Sequence, residues 1–406
     1  MAPSALDRVS LGYEAIWGQQ RRCMGMRLFV QAHPETTVDV RHLVAAIAEY
    51  WTDPSMPLLL SVRSAALLDS LLEQPACPGI WIEVADAQLA DRRIAAGVHH
   101  ARAQGVHLVW VGDDGETLDN TLAPFFHKTM RTQSPQDALT ALRLARHPSA
   151  GDGTGAGPIP QSPIVPGSLY VGLANRSLLE HALDRQHIWG AAGWPTDEIL
   201  HDYRLRQIQP SRTVIRALLQ LIDADDSLEA LARHLGCEPL LTYRFLRYAN
   251  SALLGHGHDV GSVRQGLMLV GYTQLRGWLT EQMNRASTDA NLEPLRWSMV
   301  TRARVMEHLS DAGLGDDLRR EVFLCGLLSR LDVLQGEPLG AALHRLPLPG
   351  RIVSAVLGQT GPYAAWLEVA SALEGGNTRL IHDVCRAHKM PASEVNHALL
   401  RTLAMR

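Results

Sequence analysis

Several features that would assign the 406-residue chain quickly to a class are missing. The five cysteines, Cys23, Cys77, Cys237, Cys325 and Cys385, are odd in number, widely scattered and never spaced as C-x-x-C. That argues against a disulfide framework or a zinc ribbon and points to buried, reduced thiols. No stretch approaches the roughly 20 apolar residues that cross a bilayer. The N-terminal MAPSALDRVSLGYEAIW has neither the basic start nor the continuous apolar core of a signal peptide. The expectation is a chain that stays in the cytosol, with no membrane partner. An excess of either charge is also absent: the formal net charge is −4 and the pI is near 6.5. Nothing global draws the chain toward nucleic acid or an anionic surface.

What is present is enough apolar material for real cores, with 46% hydrophobic and 20% charged residues. The length predicts two domains. Over residues 10–147, short apolar runs alternate with helical patterns. The runs are LGYEAIW (11–17), MRLFVQ (26–31), LLLSVR (58–63), GIWIEV (79–84) and VHLVWVG (106–112). Val40, Leu43, Val44 and Ile47 mark one intervening helix, and residues 87–103, ending near Gly105, mark another. Such alternation predicts a parallel α/β sheet, open or closed into a barrel. The Pro/Gly/Ser tract over 148–167 reads as a flexible insertion. SLYVGLA (168–174) adds a strand, and Leu178, Leu179, Ala182 and Leu183 add a helix.

From about Pro210 the pattern is helical only. Val214, Leu218 and Leu221, flanked by Ile215, Leu219 and Ile222, form a wide apolar face. Asp226 or Ser227 is placed to cap a helix carrying Leu228, Leu231 and Leu235. Similar patterns continue to the C-terminus, with candidate helices over 363–374, 378–388 and 392–404.

The second half resembles the HDOD domain, a helical relative of HD-type phosphohydrolases in bacterial signalling proteins. The resemblance lies in EPLLTYRFLRYANSALLG (238–255), SVRQGLMLVG (262–271) and VFLCGLLSRLDVLQGEPLGAALHRLPLP (322–349). It implies structural roles for Asn250, Ser251 and Gly271, and it places Ser329 and Arg330 where an HD pair would stand. The first half resembles an EAL domain, the barrel that hydrolyses cyclic di-GMP in active members, through GYEAIW (12–17). The order of the two domains resembles the EAL–HDOD family of cyclic di-GMP-related signal transduction proteins. The implied architecture is a degenerate TIM-like EAL barrel over 1–200 with a truncated first strand, followed by an all-helical HDOD domain over 205–406.

Hydrolysis by this route needs two divalent cations held by several oxygen ligands at the strand ends. Glu14 is retained, and Glu83 in WIEVAD stands at the next glutamate position that the resemblance implies. The remaining ligand positions are lost. Arg63, a fixed cation, replaces an amide ligand. Val111 and Gly112 replace a pair of aspartates, and Asp113 and Asp114 fall two residues late, as loop acids. Lys128 matches the family lysine, but Met130 follows it where an aspartate is usual. Gly172 replaces a glutamate, and Trp189-Gly190 stands at a Gln-Gly site. The expected activity is therefore none, with no metal or other cofactor. Arg63 gripping a phosphate leaves open a receptor that binds cyclic di-GMP without cleaving it, beside a weak or conditional phosphodiesterase.

Three His-Asp dipeptides, His201-Asp202, His258-Asp259 and His382-Asp383, fall outside the HD position and are read as chance occurrences. Residues 227–249 and 380–403 resemble helix-turn-helix units. The first is crowded with Leu240, Leu241, Phe245, Leu246 and Tyr248, which favours an ordinary hairpin over a DNA reader. Joint exposure of Tyr243, Arg244 and Arg247 on a convex face would reverse that. Trp278, Trp297 and Trp366 read as packing residues, and Arg302 with Glu307 as a buried or interfacial pair. The expected partners are other signalling proteins, bound through the helical domain.

Overall fold

The computed structural model describes residues 4–34, 36–53, 55–113, 116–146, 162–252, 260–310 and 315–405. The chain forms two compact units: Met1–Ile199 with Ala372–Arg406, and Leu200–Ser371.

The first unit is a closed eight-stranded barrel, β1 Val9–Trp17, β2 Cys23–Ala32, β3 Leu58–Val62, β4 Ile80–Ala85, β5 His107–Gly112, β6 Lys128–Arg131, β7 Leu169–Val171 and β8 Gly190–Ala192. Strands β2 to β8 are parallel, as the alternating pattern implies. Strand β1 is antiparallel to both β2 and β8. At nine residues it is among the longest strands, so the expectation of a truncated first strand is corrected. Strands β6 and β8 carry four and three residues, too few for a period-two signal to stand out. Side chains alternate across each strand. Ile16, Leu59, Val109, Met130, Leu169 and Ala192 form the inner layer, while Met26, Leu28 and Val30 of β2 are buried on its other face.

Closure near β1 requires the C-terminus. Strand β8 pairs only with Ile16 and Trp17, leaving the first half of β1 without a strand on that side. Residues 373–375 supply one: the Tyr13 amide donates to the Leu373 carbonyl at 3.0 Å, and the Gly375 amide to the Tyr13 carbonyl at 2.8 Å. The approach is so close that a Cβ on Gly12 would lie 2.3 Å from the Gly375 oxygen. The helix Ala392–Ala404 then places Asn396, 1% exposed, against the start of β1. Its amide donates to the Leu6 and Val9 carbonyls, both at 2.8 Å, and accepts from the Leu11 amide at 3.2 Å. Thr378 also hydrogen-bonds Gln31. The expected 205–406 helical domain therefore divides differently, because 372–406 satisfies backbone groups of the barrel.

Residues 148–161 of the expected flexible tract lie outside the described residues. The remainder is docked: Ile164 is 2% exposed, and the Val165 amide donates to Tyr170 Oη at 2.8 Å. No cysteine is disulfide-bonded; Cys325 and Cys385 are buried, and the other three are half-buried.

The second unit is all helical. Its core includes Leu240, Leu241, Tyr243, Phe245, Leu246, Leu279, Met299 and Leu327. At its centre Glu238 is fully buried beside Arg296, whose Nε lies 2.8 Å away. Glu238 also accepts from the backbone amides of Ser211 and Leu241, while Arg296 donates to Glu293 at 2.8 Å and to the Gln209 carbonyl at 2.9 Å. A buried charge is tolerable only when paired and hydrogen-bonded in this way. Asn250 ties the helix Pro239–Ala252 to Val260 through both backbone groups of that residue, at 2.9 and 3.1 Å. Gly271, at φ 73°, marks the kink within Val263–Met283, and Ser251 is exposed. Among the described residues, no helix is long and apolar enough to cross a membrane.

Asn396→Ala leaves three buried backbone groups unpaired, so the barrel should lose roughly 2–4 kcal/mol. Hydrogen exchange read by mass spectrometry should then rise over residues 9–15. Arg296→Ala, which strands the Glu238 carboxylate, should cost the helical unit about 3–5 kcal/mol in urea denaturation.

Candidate functional site

The inward row of β2 carries Arg27 and Phe29, with Arg27 directly opposite Glu14 of β1. Arg27 Nε and Nη2 donate to the two carboxylate oxygens of Glu83 on β4, at 2.8 and 2.6 Å. Its Nη1 donates to Glu14 Oε2 at 3.4 Å. The guanidinium therefore lies between the two glutamates singled out by the sequence, with a bidentate pair to one and a longer contact to the other. Their side chains are largely withdrawn from solvent, at 13% exposure for Arg27, 25% for Glu14 and 9% for Glu83. The Arg27 guanidinium also lies 4.8 Å from the centre of the Phe29 ring, against which the backbone at Gly376 packs.

The electrostatics follow from burial. Withdrawal from water raises the Glu14 pKa above 4.5, and repulsion from Glu83 adds to the rise, although Arg27 pulls it down. Burial opposes the charge on Arg27, but Glu83 and Glu14 outweigh that and raise its pKa. Arginine is charged in any case.

The other sequence-marked positions are dispersed. Arg63 follows the end of β3 and is exposed on the rim. Asp113, just past β5, is exposed and its amide donates to Glu116; Asp114 lies outside the described residues. Gly172 follows β7 at φ 70°, a left-handed conformation that disfavours any side chain, a carboxylate included. Lys128 opens β6 at the end of the barrel opposite the rim. Its ammonium reaches the Gly167 carbonyl at 3.3 Å and lies 5.9 Å from the Trp189 ring. Trp189 stacks on Trp81, which stacks on His107, so this end is an aromatic floor. Neither Lys128 nor Trp189-Gly190 joins the glutamates.

Two divalent cations do not suit this donor set. The glutamate oxygens already accept from a permanent cation, Met130 is part of the inner apolar layer, and Gly172 brings no ligand. The residue that sequence reading missed is Arg27. Its signal was available: a charge within MRLFVQ, on the opposite face of the strand from Met26, Leu28 and Val30, requires a buried partner.

In the helical unit, Ser329 Oγ donates to the Gly326 carbonyl at 2.7 Å and lies 3.4 Å from Arg302, while Arg330 immediately precedes the short helix Leu331–Gln335. His382 packs against His33, at 4.3 Å between ring centres, His201 and Asp202 are exposed, and His258-Asp259 lies outside the described residues. Tyr243 is 1% exposed, with its hydroxyl donating to the Ala342 carbonyl, so Tyr243, Arg244 and Arg247 share no convex reading face. Trp278 packs on Phe245 and Tyr248, and Trp366 on Tyr363, as the packing reading predicts.

Residues 208–334 match the model of the HDOD domain. Among curated proteins, the uncharacterized protein YuxH of Bacillus subtilis (strain 168) is 22% identical over 164 residues, 39% of this chain and 40% of that protein. The match thus spans less than half the length of that relative. Among solved structures, the MmoQ response regulator from Methylococcus capsulatus str. Bath is 20% identical, with 48% of this chain and 98% of that one covered and a TM-score of 0.39. Klebsiella pneumoniae BlrP1, in a calcium/cy-diGMP complex, is 14% identical, with 48% and 57% covered and a TM-score of 0.28.

Replacing Arg27 with Met should destabilise the barrel by roughly 3 kcal/mol, because two buried carboxylates lose their cation. The triple variant Glu14→Gln/Arg27→Met/Glu83→Gln should recover most of that loss in the same denaturant titration. A raised folded-state pKa means that folding takes up a proton at Glu14, so its contribution is full at acid pH and falls as pH rises through the folded value. The stability of the wild-type protein relative to Glu14→Gln should therefore decline as pH rises above the ordinary glutamate value of 4.5.

Proposed function

We propose that the chain is a non-catalytic signalling protein of cyclic di-GMP-related pathways, acting on other proteins through its HDOD unit. Support comes from the HDOD match over 208–334 and from the GYEAIW strand, which places Glu14 inside a closed barrel. The observation that carries the non-catalytic part is Arg27. Metal-assisted phosphodiester cleavage depends on cations that polarise the phosphoryl group and generate hydroxide. Here the position between Glu14 and Glu83 is filled by a guanidinium, which neutralises the carboxylates but cannot bind or ionise water as a Lewis acid.

Arg63 supports a second reading. Exposed just beyond β3, it leaves a cation on the rim that can pair with a phosphate, as a receptor without turnover would use. The buried position of Tyr243 speaks against the nucleic-acid reading of residues 227–249.

Incubation of the full chain with cyclic di-GMP and either Mg²⁺ or Mn²⁺ should yield no linear product by chromatography. Product formed by the wild-type protein but not by Glu14→Gln would overturn the proposal in favour of a phosphodiesterase. In calorimetry, heat of binding that is lost in Arg63→Ser, without turnover, would replace the scaffold with the receptor.

A further inference from the structure

The helical unit contains a cleft of about 1150 Å³ with a strongly basic wall. Arg204, Arg206, Arg244, Arg247, Arg285 and Arg345 line it, against only two glutamates, Glu281 and Glu337. Glu337 is already engaged by Arg345, through two bonds of 2.7 Å. Among the described residues, no carboxylate forms an ion pair with Arg247 or Arg285, and both are exposed.

Arg244 is the built part of the cleft. Half-buried, it donates to Gln209 Oε1 at 2.9 Å, to Gln282 Oε1 at 3.2 Å and to the Ile208 carbonyl at 3.4 Å. These neutral acceptors orient the guanidinium without cancelling its charge. Burial lowers its pKa, and Arg285 and Arg247 lower it further against the pull of Glu238. Like charges gathered around a partly desolvated group cost Coulomb energy that an anion would reverse. Guanidinium groups match phosphate oxygens in bidentate geometry. The volume is well beyond that of one phosphate and suits a ligand of cofactor size. Tyr203 and Trp278 add aromatic surface to the wall.

We propose that this cleft binds a small molecule carrying two or more phosphate groups, held by Arg244, Arg247 and Arg285. The site belongs wholly to the helical unit and does not rest on the reading of the barrel.

The test uses the full chain and three probes, inorganic pyrophosphate, ATP and GTP, titrated by calorimetry at low and moderate salt. All three should bind, more weakly as salt rises. Arg247→Ser/Arg285→Ser should weaken binding by roughly tenfold or more, whereas Arg216→Glu, an exposed change on the helix Arg212–Asp223, should not. If the double variant fails to fold by circular dichroism, Arg285→Ser alone, beyond the end of Val263–Met283, reads the same loss. Nucleotides binding more tightly than pyrophosphate would assign a nucleoside to the aromatic wall, and equal affinities would assign the phosphates alone; both support the site. No heat from any probe at millimolar concentration, or equal binding by wild type and variant, would overturn it. So would binding of an oligothymidylate in the absence of binding by all three probes, which would make the surface one for nucleic acid.

Discussion

The barrel is organised around a positive charge that cannot leave it. Arg27 projects into the interior from β2, and a guanidinium there is stable only if oxygens surround it. Glu14 and Glu83 supply them from two other strands, and the bidentate pair with Glu83 adds direction to the attraction. In a barrel built for metal chemistry the same two carboxylates would need a cation from solution. Here both acids already accept hydrogen bonds from a cation that is covalently part of the chain.

A second constraint lies at β1. Its antiparallel direction leaves it flanked by a long β2 and a very short β8, and backbone groups without partners are expensive to bury. The chain meets the deficit with segments from its far end: the backbone of 373–375 beside Tyr13, and the Asn396 side chain beside Leu6, Val9 and Leu11. The strand that bears Glu14 is thereby held from both sides. The Phe29 ring, packed between Arg27 and the backbone at Gly376, brings the same C-terminal segment up to the charge cluster.

The helical unit treats charge in two opposite ways. Glu238 and Arg296 are paired and fully enclosed, with backbone amides and carbonyls filling the remaining valences. A few residues away, Arg244 is oriented by glutamines and faces Arg247 and Arg285. The first arrangement is complete in itself and anchors the helices. The second gathers more positive charge than the nearby carboxylates balance, which suits a surface that takes an anion.

The sequence by itself determined the class of each half. Alternating apolar runs marked five of the parallel strands and β1, and helical spacing marked the C-terminal bundle, because period-two and period-3.6 patterns are local properties of side-chain direction. It also singled out Glu14 and Glu83, which the fold brings to one guanidinium. Tertiary structure alone decided that Arg27 rather than Arg63 sits between the glutamates, that Lys128 belongs to the floor, and that 372–406 joins the barrel. Each of these depends on which residues meet across tens or hundreds of positions of chain. Strands β6 and β8 escaped because three or four residues carry too little periodicity to register. The arginine cleft escaped because its members come from four separate stretches between Arg204 and Arg345, and only folding brings their charges together.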